Sequence, residues 1–257
     1  MAIINITFNN FDLQTSTYLT NNIQYRQLAE RLLDTKQDVR RGGFNIVDAY
    51  YVRKAIEITG WIKATTPATL RTAIDTLKRN LRGAEKDLAI DYGNGIINYK
   101  ATVQSISIPE QHYHITQVPF IISFLVMPWG TSTTQLTSNY DISASPYTNS
   151  INVGGSFGPF PVITLTVNSK SSMTAIKVKN TDVDSNTSSL LVSRTFTASE
   201  VLVVDCDAQT IQVDAANVDF TGIFPEFSHN SNSFEITITD SGAFTVSASV
   251  EYYQTFL

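Results

Sequence analysis

AIEITGWIKATTPATLRTAIDTLKRNLRGAEKDLAIDYGNGIINYKATVQSI, residues 55 to 106, holds a strand, a helix and a hairpin in unbroken succession. In AIEITGWIK (55–63), Ile56, Ile58 and Ile62 fall on one side and Glu57, Thr59, Trp61 and Lys63 on the other, the period of a half-buried strand. TTPATLRTAIDTLKRNLRG (65–83) then sets a threonine before Pro67, spaces Leu70, Ile74, Leu77 and Leu81 as one helix face, and ends at Gly83. Proline suits a first turn because the N–H it lacks would have no partner there, so the spacing predicts one amphipathic helix over 66–82. Leu88, Ile90 and Tyr92 next alternate with Ala89 and Asp91, and Gly93-Asn94-Gly95 supplies the positive φ that a tight hairpin needs. The return strand changes phase: Ile97, Tyr99, Ala101 and Val103 share one face, Ile106 and Ile108 the other, which calls for a bulge near Ser105. Beyond it, Val118 to Val126 is apolar on both faces, a pattern that asks for cover on each side from a second layer or a neighbouring subunit.

The whole chain has 257 residues, 42% hydrophobic and 16% charged, enough to bury a core in one large domain or two ordinary ones. Ser, Thr and Asn replace much of the charge that soluble domains usually carry, roughly 25%. A net charge of -5 gives no overall positive field for a phosphate backbone, so stable nucleic-acid binding is not expected. The most apolar stretch, VPFIISFLVMPW (118–129), is shorter than the roughly 20 residues of a spanning helix, so no membrane insertion is expected. One cysteine, Cys206, can form neither an internal disulfide nor a thiolate zinc site, which fits a reducing compartment. MAIINITF alternates like a strand and does not read as a signal peptide, so synthesis and assembly are expected in the cytoplasm.

Charge divides the chain. Up to Pro128 there are 14 basic and 11 acidic residues; after it, 4 and 12. The expected organisation is a β domain with one helix over 1–130, a linker or edge segment over 131–161, and a second β domain over 162–257. The linker reading rests on WGTSTTQLTSNYDISASPYTNSINVGGSFGPFP (129–161), rich in Ser, Thr, Asn, Gly and Pro, with at most one irregular edge strand. Short alternating runs follow: Ile163, Leu165 and Val167; Ile176 and Val178; Val201 and Val203; Ile211 and Val213; Phe234, Ile236 and Ile238; Phe244, Val246 and Val250. Their spacing predicts an antiparallel sandwich without helix, and the chain as a whole reads as mainly β.

Several motifs carry residue types that chemistry uses. Gly154-Gly155-Ser156-Phe157-Gly158 fits the G-x-S-x-G elbow of serine hydrolases, with Asp205 or Asp207 and then His229 in the order such enzymes use. That elbow needs a strand running into a helix, and Pro159 and Pro161 oppose one, so the stretch reads as a glycine-rich linker. Asp182, Asp184 and Asn186 copy the opening of a calcium loop, but Thr187 stands at the glycine position and Ser193 where a bidentate glutamate belongs; a polar hairpin loop is expected. His112 and His114 share a strand face without a third ligand, and read as loop or surface histidines. Cys206 has the parity of Leu202 and Val204, as a small core residue does. Asp205, Asp207, Asp214 and Asp219 flank short strands as turn formers. Arg40-Arg41 precede Gly42-Gly43, and Arg71, Lys78, Arg79 and Arg82 lie away from the leucine stripe, as on a solvated helix face. No phosphate-cradling or dinucleotide fingerprint occurs, so no catalytic, cofactor or metal residue is assigned and no enzyme is expected.

ITGWIKA, the helix TLRTAIDTLKRNLRG, DLAIDYGNGIINYKATVQSI and FIISFLVMP, in that order, resemble the N-terminal domain of the distal tail proteins of long-tailed phages. RTFTASEVLVVDCDAQTIQVDAANVDFTGIFPEF and NSFEITITDSGAFTVSASVEYYQTFL resemble their C-terminal galectin-like sandwich. One departure is FSHNSN (227–232), where relatives often carry a Leu-x-Pro-Gly-type stretch. The resemblance implies a split-barrel-like N-terminal domain that forms a homo-hexameric ring in the virion tail, around a channel through which DNA passes. It also implies contacts with the tail tube protein and the baseplate hub, with the C-terminal sandwich as a platform for receptor-binding or adhesion proteins. The alternative is a carbohydrate-binding sandwich, with Trp129, Tyr140, Tyr147, Phe157 and Phe160 as stacking candidates.

Overall fold

The computed structural model describes residues 5–24, 30–38, 43–91, 93, 95–109 and 116–257. They form two compact units, Met1–Ser132 with Leu257 and Thr133–Phe256. In the first, β1 (Ile6–Phe8), β2 (Phe11–Asp12), β3 (Tyr18–Gln24), β4 (Arg31–Asp38), β5 (Gly43–Tyr51) and β6 (Lys54–Lys63) lead into α1 (Pro67–Asn80). After it come β7 (Lys86–Asp91), β8 (Ile96–Ser107) and β9 (Gln117–Val126). The strands pair antiparallel in the order β2-β1-β7-β8-β9-β6-β3, while β4 and β5 make a separate two-stranded sheet.

The helix forms where the sequence placed it. Thr66 Oγ1 accepts from the Thr69 N–H at 3.2 Å and Thr69 Oγ1 from the Thr66 N–H at 3.0 Å, which satisfies two N–H groups that the first turn leaves open. Leu70, Leu77 and Leu81 are buried and Ile74 is partly so, and the Tyr18 hydroxyl donates to the Ala73 carbonyl at 2.9 Å, fastening α1 to β3. Gly93 and Gly95 in the β7–β8 hairpin have φ of 84° and 138°, values a side chain would resist. Along β8 the register against β9 shifts between Val103 and Ser105, so the phase change read from the isoleucines is a bulge at Gln104.

Of the two sources of cover that β9 called for, a second layer of its own unit is present on one face. Val118, Phe120, Ile122, Phe124 and Val126 are buried together with Ile56, Ile58 and Ile62 of β6, yet on the opposite face Ile121 is 42% exposed and Trp61 of β6 is 36% exposed. Among the described residues, the face carrying Ile121 and Trp61 is the less covered one.

Thr131 and Ser132 at the start of β10 (Gly130–Ile142) pair with Asn98 and Ile97; the rest of the strand belongs to the second unit. That unit continues with β11 (Tyr147–Val153), β12 (Val162–Ser169), β13 (Ala175–Thr181), β14 (Thr187–Ser193), β15 (Val201–Asp205) and β16 (Thr210–Val213). It ends with β17 (Ala216–Asn217), β18 (Thr221–Gly222), β19 (Asn230–Thr239) and β20 (Thr245–Phe256). One sheet runs β17-β16-β15-β12-β20-β10, the other β11-β19-β13-β14-β18. Ile163, Leu165 and Val250 of the first pack in one core cluster with Val178, Leu190 and Ile236 of the second, which makes an antiparallel sandwich. The segment expected as a linker is mostly two strands, because Ile142, Ile151 and Val153 bury their side chains while the polar residues between them face outward. In β15 the fully buried residues are Leu202 and Val204, not Val201 and Val203, and β14, with Leu190 and Val192 in the core, was not anticipated.

Candidate functional surfaces

The Ser156 motif is built for packing. Gly154 to Gly158 follows β11 and is succeeded by another strand, β12, so no helix presents the hydroxyl. The Ser156 and Phe157 N–H groups both donate to the Thr255 carbonyl, at 3.0 and 3.2 Å, and Thr255 Oγ1 donates to the Phe157 carbonyl at 2.6 Å. Gly155 has φ of 99° and lies against the Thr255 backbone, while a Cβ on Gly158 would collide with the Phe227 carbonyl. The glycines are there because β20 and the Phe227 backbone pass too close for side chains. Asp205, the motif's proposed acid, instead accepts from the N–H groups of Asp207 and Ala208 at 3.0 and 2.9 Å, and Asp214 accepts from the Val201 N–H at 3.0 Å. His229 is exposed ahead of β19.

The calcium-like loop is a closed turn. Asp182 Oδ1 accepts from the N–H groups of Asp184 and Asn186 at 2.9 and 2.8 Å, and Oδ2 from Asn186 Nδ2 at 2.9 Å, so the carboxylate serves the β13–β14 hairpin itself. The Asn186 side-chain bond, more than any other influence, holds the carboxyl below its ordinary range. Cys206 is buried, and burial, then the nearby charges of Asp205 and Glu226, push its thiol up to about 12. Among the described residues no three His, Cys, Asp or Glu side chains are grouped to hold a metal. His112, His114, Arg40, Arg41 and Gly42 lie outside the described residues.

Sequence reasoning missed a buried polar network. Asn180 and Asn232 are 1% and 0% exposed; Asn180 Nδ2 donates to Asn232 Oδ1 at 3.0 Å and to the Glu226 carbonyl at 2.7 Å. Asn232 Oδ1 also accepts from the Ser228 N–H at 2.9 Å, and its Nδ2 donates to the carbonyls of Ser228 and Asn230 at 2.9 and 3.0 Å. Ser188 Oγ accepts from the Glu226 N–H at 2.9 Å. These side chains hold the FSHNSN stretch, the departure noted in the sequence, in one conformation. The hints were two asparagines at core parity, Asn180 with Ile176 and Val178 and Asn232 with Phe234 and Ile236.

Four surfaces remain for contacts. First is the open face around Trp61 and Ile121; second is the β4–β5 hairpin, whose strands pair only with each other among the described residues. Third is the exposed side of α1, with Arg71, Lys78, Arg79 and Arg82; on its other flank Lys63, Thr69, Thr72 and Thr76 line a groove of about 600 Å³. Fourth is the outer face of the β12-β20-β10 sheet, where Asn139, Asp141, Thr164, Thr166, Ser247 and Ser249 line a shallow cavity of about 280 Å³. Of the aromatic residues named from sequence in the second unit, Tyr140 and Tyr147 pack on the core with ring centroids 5.7 Å apart, Phe157 is half-buried and Phe160 is 38% exposed. Trp129 belongs to the first unit and is half-buried.

Residues 154–255 match the family described as the siphovirus-type tail component, C-terminal domain, whose profile carries the name SPP1 Dit. No curated protein matches the chain. Among solved structures, the Dit protein of phage SPP1, described as a paradigm of the hub adsorption apparatus in phages that infect Gram-positive bacteria, aligns over 100% of both chains with a TM-score of 0.72 and 13% identity. The activated phage P2 baseplate with calcium aligns over 96% of this chain and 97% of its own, at 8% identity and a TM-score of 0.43. Residues 154–255 thus match the siphovirus-type tail component C-terminal domain, and over its full length the chain shares the fold of the SPP1 Dit protein.

Proposed function

We propose that the chain is the subunit of a homo-hexameric ring at the distal end of the tail, joining tail tube to baseplate hub around a DNA channel and catalysing nothing. The part up to about residue 130 forms the ring, and the part from 162 to 257 carries adhesion or receptor-binding proteins. The observation behind this is the β4–β5 hairpin: eight and nine residues long, it leaves two rows of backbone N–H and C=O groups without strand partners among the described residues. An isolated two-stranded hairpin is marginal in water, and open edges are a hazard unless a partner fills them. A closed ring fills each edge with the next copy, and the open face at Trp61 and Ile121 gives the same copy an apolar surface to cover. Light scattering followed by negative-stain images tests it. Six-fold rings are expected, and a stable 28.4 kDa monomer at every concentration would refute it.

Carbohydrate binding is the second reading, favoured by the fourth surface. Ser247 Oγ donates to Asp141 Oδ1 at 3.1 Å and accepts from Asn168 Nδ2 at 2.7 Å, a preset array of hydroxyl, amide and carboxylate. Exposed rings of Phe160 and Tyr253 lie toward one end of that sheet. A glycan array on the full chain, with Asp141→Ala as control, decides this reading. Specific binding lost in the variant is expected, and an empty array removes it.

A further inference from the structure

From position 71 to 82, Arg71, Lys78 and Arg82 follow at steps of seven and four, so they share one flank of α1 and its C-terminal turn, with Arg79 beside them. The helical part of this stripe, Arg71 to Arg79, is about 12 Å long at 1.5 Å per residue, and Arg82 follows just beyond the C-cap. All four side chains are exposed, and none joins an ion pair among the described residues, where Arg53–Glu85, Lys100–Asp87, Lys179–Glu235 and Arg194–Glu200 are the pairs formed. Asp75 is the one carboxylate on this flank, leaving an excess of positive charge.

The opposite charge is found at the other end of the sequence. Residues 195 to 257 contain nine carboxylates and no lysine or arginine. Among them Asp207, Asp214, Asp219 and Glu226 are exposed and join no ion pair among the described residues. Asp207 and Asp214 sit in the turns at the two ends of β16, whose four residues span about 13 Å at about 3.3 Å each, similar to the basic stripe. This meander is also the edge of its sheet.

Resting on the ring reading, we infer that the basic flank of α1 also docks on the acidic β15–β17 edge of a second copy of this chain, a contact beyond the one made by the part up to residue 130. Each copy then offers one surface of each sign, the arrangement that head-to-tail assembly requires, and like-charged surfaces are kept apart. DNA is a poorer occupant, because the chain that would bring the helix to a phosphate backbone also brings the acidic half.

The test measures self-association of the full chain by sedimentation in about 50 mM and 500 mM salt, where screening shortens the range of these forces severalfold. Dissociation at least about tenfold easier at high salt is expected. Reversing the helix (Arg71→Glu, Lys78→Glu, Arg82→Glu) or the edge (Asp207→Lys, Asp214→Lys, Asp219→Lys) weakens association similarly, and combining both reversals in one chain restores it. Circular dichroism reports whether each variant folds, and the rescued double reversal settles the matter if a single one does not. Rings that persist unchanged in all variants sink this inference alone, whereas a chain monomeric under every condition sinks the ring as well. Duplex DNA bound by the unmodified chain and lost on helix reversal, with association unaltered, also overturns it.

Discussion

Asn232→Ala tests whether the second unit depends on its buried amide pair. The substitution removes the acceptor for the Ser228 N–H and for Asn180 Nδ2, and the donor to the carbonyls of Ser228 and Asn230. Asn180 has no slack to absorb this, because its Oδ1 is already buried without a hydrogen-bond partner. A buried polar group stripped of its partner costs about 1–3 kcal/mol; two such groups, partly offset by water reaching Ser228, give a loss of about 3 kcal/mol. Against a typical domain stability of about 5–15 kcal/mol that is a large fraction. Urea denaturation followed by a probe in the second unit reads the loss, and hydrogen exchange reads where it falls, with protection vanishing first over 226–232. Asn232→Asp sharpens the comparison: it keeps the acceptor oxygen but faces a carboxylate toward two carbonyls. It should cost more than alanine at neutral pH and recover as acid protonates it and restores a donor. A loss below about 1 kcal/mol for alanine, or unaltered exchange over 226–232, would refute the reasoning.

Cys206 should resist thiol reagents in the folded chain at mildly alkaline pH and label at once in denaturant, since its thiol is pushed up to about 12; rapid native labelling contradicts that burial. Asp182 has a carboxyl held below its ordinary range, so the hairpin gains stability above the unfolded value and loses it as pH falls through the folded one. Asp182→Ala should therefore flatten the acid limb of a pH titration of the denaturation midpoint. Gly158→Ala forces a methyl onto the Phe227 carbonyl and should cost several kcal/mol, of order 3, measured by the same midpoint. Ser156→Ala should leave ester hydrolysis at the uncatalysed rate of the unmodified chain; a measurable rate lost on substitution would reinstate the hydrolase reading.

What was legible in the sequence was whatever a local rule determines. The capping threonine, Pro67 and the leucine stripe define α1 without reference to the rest of the chain, and the isoleucine phase slip locates the Gln104 bulge within one residue. The misreadings are places where the partner decides. β10 carries strand-favouring Thr131, Thr133, Thr134 and Thr137 but almost no apolar alternation, so its burial pattern is set by β20 beside it and could not be read from its own residues. The apolar second face of β9 asks for cover, but sequence cannot say whether that cover lies in the same unit, and Ile121 stands 42% exposed. The Gly154–Gly158 stretch imitated a catalytic elbow because close backbone approach and a strained nucleophile turn both demand glycine; only the neighbouring Thr255 and Phe227 distinguish them.

In the proposed ring the open strands must accept one neighbour without pairing indiscriminately. Charge on an edge strand is the usual guard against indiscriminate pairing, and β4 concentrates it, with Arg31, Asp34, Lys36 and Asp38 in eight residues. Alternating sign along one strand penalises a slipped register, because like charges then fall opposite one another across the pair. The same edge that would invite aggregation would thus accept a neighbour in few alignments, and the proposed ring would supply such an alignment by symmetry. Neutralising those four charges in the full chain should therefore broaden the population from one assembly to a ladder of soluble aggregates, whereas swapping their signs pairwise should preserve a single species. If both variants assemble like the unmodified chain, register is set elsewhere and the hairpin is not where copies meet.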